Sequence, residues 1–266
     1  MYQRIIQTIG LSLLLLRLGS MSWAESLVLV KAGSFTMGSP SSEANRESDE
    51  VQHTVRISND FYISKYEVTQ DEYLSIMGIN PSNTARGIGD SYPVNMVSWY
   101  DAVEYCNILS EREGLTPAYT INGSNVIWDR NANGYRLPTE AEWAYAARGG
   151  QKAGSYNVYS GSDNISSVAW YDGNSGDKNH PVGVKQANEL GIYDMTGNVW
   201  EWCWDWYDYY PSGSVTDPTG PSSGSIRVFR GGSWRTEAEY CRLANRITAP
   251  PSYRYGFLGF RLVRLP

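Results

Sequence analysis

Residues 200–206 read Trp-Glu-Trp-Cys-Trp-Asp-Trp, an indole alternating with a polar or sulfur side chain over seven positions. An extended backbone repeats every two residues, so Trp200, Trp202, Trp204 and Trp206 share one face and Glu201, Cys203 and Asp205 the other. The indoles offer the large apolar area of a core strand. The acidic face demands something else: pairing, solvent or a bound group.

The rest of the chain offers only short partners for such a strand. Apolar or alternating runs at 27–38, 53–58, 61–68 and 259–266 read as brief strands. Three helices carry start signals. The first begins at Thr69, with Asp71 and Glu72 in the first turn, where the helix dipole favours acids. The second runs through 98–114, with Ser98 and Asp101 as a capping pair, Ala102, Val103, Cys106 and Leu109 as an apolar stripe, and Gly114 as the stop. A Thr139/Glu142 capping box opens the third, which ends at Gly149.

What remains is loop-like and rich in turn formers and aromatics, in a chain with 26 Gly and 20 Tyr. Segment 210–225, dense in Gly, Ser and Pro, reads as a long surface loop within the domain. Irregular segments on this scale stay ordered only with metal, disulfides or dense aromatic packing. The expected class is α+β, with short strands, few helices and much irregular structure.

Met1 to Arg4 lead into an apolar run too short to span a bilayer, followed by small residues ending at Ala24. That order predicts a signal peptide over 1–24 and a single domain over 25–266. The product is expected to be exported, to periplasm, cell surface or medium, with no transmembrane span after cleavage. No cysteine follows the apolar run to carry a lipid. Basic residues number 22 against 28 acidic, which argues against nucleic acid and anionic membranes and leaves protein, peptide, small-molecule or sugar ligands.

Asp194, the carbonyls of Gly197 and Val199, and Glu201 recur at spacings that let alternate groups of an extended loop point inward as hard oxygen ligands, which suits calcium. His53 and His180 are isolated, and His180 reads as a loop residue bonding backbone. Ser233 has no His or acid at a spacing that would make a triad.

Seven motifs then fall in one order: FTMGS (35–39), YEVTQDEY (66–73), PVNMVSWYDAVEYC (93–106), YRLPTEAEWAYAARGG (135–150), NELGIYDMTGNVWEW (188–202), RGGSW (230–234) and GFRLV (259–263). The series resembles the formylglycine-generating enzymes, or sulfatase-modifying factors, over nearly all of 27–264. The resemblance implies a C-type-lectin-like fold stabilised by calcium. One family calcium site falls on Asp194, Gly197, Val199 and Glu201, and another maps onto Asn164, Ile165, Asn174 and Gly176.

In enzymes of the family, two cysteines five apart after the Gly-Gly-Ser turn bind copper(I), and a sulfatase cysteine is oxidised to formylglycine. Here Cys241 holds the second position and Thr236 the first. A neutral, hard hydroxyl cannot replace a thiolate on copper(I). Cys203 is the remaining candidate partner for Cys241. The resemblance leaves three states open: a Cys203–Cys241 disulfide, worth about 4 kcal/mol in the chain-entropy model; a relocated copper site; or separate thiols.

Some exported bacterial proteins that resemble the family display a variable C-terminal surface, diversified by a retroelement. The matching stretch here is 235–261, where Arg246, Pro251, Arg254 and Gly259 look like frame residues. Candidate ligand contacts are Trp234, Arg235, Thr236, Tyr240, Ile247, Thr248, Ala249, Ser252, Tyr253, Tyr255, Gly256 and Phe257. Adenine-directed change of Asn codons cannot reach Glu, so Glu237 and Glu239 would be fixed. Tyr and Phe among small polar residues suit a rigid binding surface.

Overall fold

In the computed structural model, which describes residues 26–266, the alternating stretch forms strand β7, Trp200–Trp206. The signal peptide expected over 1–24 lies outside the described residues. β7 runs inside a four-stranded sheet, between β9 (Arg227–Arg230) and β11 (Leu258–Gly259), with β10 (Ile247–Ala249) beyond β9. β9 pairs antiparallel with both β7 and β10, whereas β11 runs parallel to β7.

The two faces of β7 enter different cores, as its period requires. Trp200, Trp202 and Trp204 pack with helices α1 (Gln70–Met77) and α2 (Trp99–Arg112) and with the hairpin β5 (Tyr119–Asn122) and β6 (Asn125–Trp128). Cys203 packs on the other side, with Trp143 of α3 (Glu140–Ala147), Val55 and Val228. Val55 belongs to a sheet of β2 (Gly33–Met37), β3 (His53–Ile57) and β8 (Val215–Thr216), β8 lying within the 210–225 loop. A third sheet joins β1 (Leu27–Val30), β4 (Phe61–Ser64) and the terminal β12 (Val263–Arg264).

All three anticipated helices start with reciprocal capping boxes at Thr69/Glu72, Ser98/Asp101 and Thr139/Glu142. α2 closes on Glu113, with Gly114 following in the left-handed region at φ 70°. A further short helix, α4 (Ile165–Val168), sits between loops.

Buried ion pairs hold the irregular segments. Arg242 joins Glu43 and Glu50, Arg230 and Arg246 share Glu140, Arg136 meets Glu142, and Arg261 meets Glu201. The 43–50 loop is thereby tied to the C-terminal stretch.

The Cys203–Cys241 disulfide is not formed: both thiols are free and buried, as is Cys106. Each sulfur has its own housing. Cys203 faces the α3 side of β7, with Sγ toward the Glu201 carbonyl at 3.9 Å, and Cys241 lies under Gly232, with Sγ toward the Thr236 carbonyl at 3.7 Å.

Candidate functional site

β9 ends in Gly231 and Gly232, both left-handed at φ 103° and 86°. A Cβ on Gly232 would collide with Cys241, so only glycine allows the chain to turn this closely over the thiol. The turn delivers Thr236 as a hydrogen-bond hub: its Oγ1 accepts from Ser233 N at 3.1 Å and from Trp200 Nε1 at 3.1 Å, and meets Ser233 Oγ at 2.7 Å. Burial pushes the Cys241 thiol up to about 12. Burial, with the nearby Glu140 and Asp205 charges, also drives Cys203 upward. Neither sulfur is a thiolate at neutral pH. Among the described residues no three His, Cys, Asp or Glu side chains converge on a metal-holding point. A hydroxyl fixed by indole and backbone, one protonated thiol and a second thiol housed elsewhere do not fit a copper(I) dithiolate.

Outward of this turn lies an aromatic surface on a well-tied backbone. Tyr255 stacks on Phe257 at 4.9 Å and 8°, and Tyr253 meets Tyr255 edge-on at 5.7 Å. Arg235 lies over Phe257 at 5.5 Å and over Trp234 at 5.7 Å. Backbone bonds from Met96 N to Tyr255 O, Trp99 N to Pro251 O and Trp200 N to Phe257 O fasten the 251–257 segment to the core. Arg254 anchors it further through two 2.8 Å bonds to Asp101 at the start of α2.

The predicted contact residues divide. Arg235, Tyr240, Ser252 and Tyr253 are exposed, and Thr236, Ile247, Thr248, Tyr255, Gly256 and Phe257 are half-buried. Trp234 and Ala249 are buried at 2 % and 4 % exposure, so they support the surface from below and cannot be contacted directly. Trp234 Nε1 donates to the Gly256 carbonyl, while its own carbonyl accepts the Ser175 hydroxyl. Ser175 and Asp172, whose N–H donates to the Thr236 carbonyl, were not legible in the sequence. They approach from a loop some sixty residues upstream with no periodic signal.

Asp194 and Asn198 adopt left-handed φ values of 57° and 58°, bending the loop before β7. Asp194 Oδ2 accepts the Gly183 N–H at 2.7 Å, while its Oδ1 is buried without a hydrogen-bond partner. Burial raises this carboxyl to about 6. Glu201 is held by Arg261 at 2.6 Å on each oxygen and by Trp143 Nε1 at 2.7 Å. A third carboxylate, missed in the sequence, completes the group: Glu67 accepts from Asn198 Nδ2 and Val199 N, and burial together with the Asp194 and Glu201 charges raises it well above its ordinary value. Three buried carboxylates thus lie near one guanidinium; Glu201 and Glu67 have their partners, and Asp194 Oδ1 is the carboxylate oxygen of the group left without one.

The second calcium set is placed differently. Asn164 Oδ1 accepts the Ser166 N–H at the start of α4, Ile165 opens that helix, Asn174 Oδ1 accepts the Tyr171 N–H, and Gly176 turns left-handed at φ 63°. His180 bonds backbone, as expected, with Nε2 at 2.7 Å from the Ser175 carbonyl.

A model of the sulfatase-modifying factor enzyme 1-like domain matches residues 20–266. The chain is 42 % identical over 249 residues to a protein named chaperone LppX from Paenibacillus barcinonensis, covering 81 % of each. It is 36 % identical over 189 residues to the formylglycine-generating enzyme of Streptomyces coelicolor, covering 64 % of this chain and 52 % of that one. Among solved structures, Treponema denticola variable protein 1 superposes with a TM-score of 0.82 at 37 % identity, covering 90 % of this chain and 95 % of that one. PvdO from Pseudomonas aeruginosa follows at 0.72 and 31 %, covering 90 % and 94 %. The mixed, sheet-rich architecture with few helices is the C-type-lectin-like fold of these proteins. The chain belongs to the sulfatase-modifying factor, or formylglycine-generating-enzyme, family.

Proposed function

We propose that the protein is an exported ligand-binding module built on a calcium-stabilised scaffold, and that the surface around Arg235, Tyr255 and Phe257 is its binding face. One observation carries this reading: Thr236 stands where the first copper thiol would be, its hydroxyl held by Trp200 and Ser233. The position that would serve oxidation instead braces the floor of an aromatic surface. Stacked rings on a fastened backbone lose little entropy on binding, which suits a protein, peptide or sugar ligand. Similarity to proteins named a chaperone and a variable protein supports a binding role. A retroelement-diversified surface is part of this proposal, with Glu237 and Glu239 as fixed positions.

Calcium would be held by Asp194 and Glu201 with the carbonyls of Gly197 and Val199, and its chemistry would be structural: neutralising the buried acids and rigidifying the loop before β7. Incubating reduced, copper-loaded protein with a peptide carrying the sulfatase-type cysteine motif is expected to give no aldehyde by mass spectrometry. Turnover would overturn the binding reading in favour of the oxidase. Screening peptide and glycan panels with the native chain and with Tyr255→Ala is expected to show binding that the variant loses. If no panel member binds, or if Tyr255→Ala binds as well as the native chain, the assigned face is wrong.

A further inference from the structure

Between α3, the end of β7 and segment 207–221 lies a cavity of about 280 Å³. None of the residues of the Arg235–Tyr255–Phe257 surface lines it. Its walls are Trp206, Tyr209, Tyr210 and prolines of the 207–221 segment, and its base holds Asp205, Glu140, Arg246 and His53. The volume suits one small organic molecule and excludes a polypeptide.

The polar groups at the base decide what that molecule is. Glu140 is saturated by Tyr210 Oη, Arg230 and Arg246, and Arg246 is held in turn by Glu140 and Asp49, so neither is free for a ligand. Asp205 differs. It is 4 % exposed; its Oδ2 accepts the Glu140 N–H at 2.8 Å, and its Oδ1 takes no hydrogen bond among the described residues. His53 Nδ1 lies 3.1 Å from the Val51 carbonyl, which can only accept; in the tautomer with its proton on Nδ1, Nε2 is left as an acceptor. Asp208 is exposed at the rim.

An anion would face the Asp208 carboxylate at the rim and the Glu140 carboxylate at the base. A cation would face rings that already carry guanidinium groups, Arg227 at 3.5 Å on Trp206 and Arg246 at 3.9 Å on Tyr210. A purely apolar ligand would strand the free Asp205 oxygen. What satisfies every wall is a neutral molecule with C–H faces for the rings and hydroxyls for Asp205 and His53.

We propose that this cavity is a second binding site, distinct from the C-terminal surface, for a neutral monosaccharide unit. Asp205 is suited to hydroxyls because burial and the Glu140 charge raise it to about 8, so at neutral pH it both donates and accepts. The groups facing it are Glu140 and Glu142 of α3, Arg246, Arg227 of β9 and Cys203 of its own strand.

The test is saturation-transfer NMR and calorimetry on the full chain with methyl glucoside, galactoside, mannoside and N-acetylglucosamine. At least one is expected to bind, and Tyr209→Ala, an exposed change that leaves the core intact, should weaken it roughly fivefold or more. Native binding should fall above about pH 8 as Asp205 ionises, whereas Asp205→Asn, whose amide still donates and accepts, should bind equally at pH 6 and pH 9. A purely structural Asp205 would not move that profile. Failure of the whole panel, indifference to Tyr209→Ala, or loss on Tyr255→Ala instead would overturn the proposal.

Discussion

The two faces of β7 solve the problem of burial by different physics. On the tryptophan face, area does the work. Trp202 is fully buried, its Nε1 satisfied by the Val97 carbonyl, and Trp204 stacks on Tyr119 at 5.2 Å. The opposite face buries Glu201, Cys203 and Asp205, and there every charge depends on a specific partner: Arg261 for Glu201, and a held proton for Asp205. Loss on the first face leaves a cavity. On the second it leaves an uncompensated charge.

That contrast is broken most sharply at Arg261. Arg261→Met leaves Glu201 buried and unpaired, and should cost about 3–5 kcal/mol in urea unfolding. The double change Arg261→Met with Glu201→Gln should recover a large part of it, since no charge is then stranded. If the double variant is no better than the single one, packing around Arg261 matters more than its charge. On the other face, Trp202→Ala should cost about 3–5 kcal/mol by cavity formation, and no partner substitution should restore it.

A smaller effect separates the two faces by pH. Asp205 is raised to about 8 in the fold from an ordinary 3.8, so the folded state keeps a proton that the unfolded chain releases. Its stabilising share is complete below about pH 4 and is lost as pH rises toward 8. Glu140 is different. Burial opposes its charge, but Arg246 and Arg230 prevail and hold it at about 2, so its share is present above its ordinary 4.5 and is lost as pH falls below that. Thermal midpoints should therefore decline on both limbs, and Asp205→Asn should flatten only the decline that runs from about pH 4 to 8. An unchanged alkaline limb in that variant would assign the decline to another group.

The tryptophan face was legible in the sequence from Trp200 to Trp204 because a period of two is local; the register shift of β7 on β9 between Trp202 and Trp206, which leaves Trp206 lining the Asp205 cavity, was not. Also legible were the helix starts, where capping needs residues only three apart, and the displaced thiol at Thr236, where motif spacing sets the position. Less local features escaped. Arg261 meets Glu201 from 60 positions away, and Glu67 joins the same acidic group from before α1. The β5–β6 hairpin turns through Gly123 and Ser124, a two-residue signal, but its strands are largely exposed and carry little alternation. Trp234 and Ala249 read as surface beside Arg235 and Thr248, and only packing shows them turned inward.

The mildest test concerns the sulfur between the two carboxylates. Cys203 has no disulfide to lose, and it shares its cluster with Val228 and Trp143 as a small apolar side chain. Cys203→Ala should cost only about 1 kcal/mol, the transfer term of one buried sulfur plus a small void. Adding reductant should leave the unfolding midpoint of the native chain unchanged. Thiol labelling in denaturant without reductant should report all three cysteines, Cys106, Cys203 and Cys241. A single reactive thiol, with two more appearing after reduction, would mean that Cys203 and Cys241 meet after all. The acid face would then be held by a covalent tie as well as by charge.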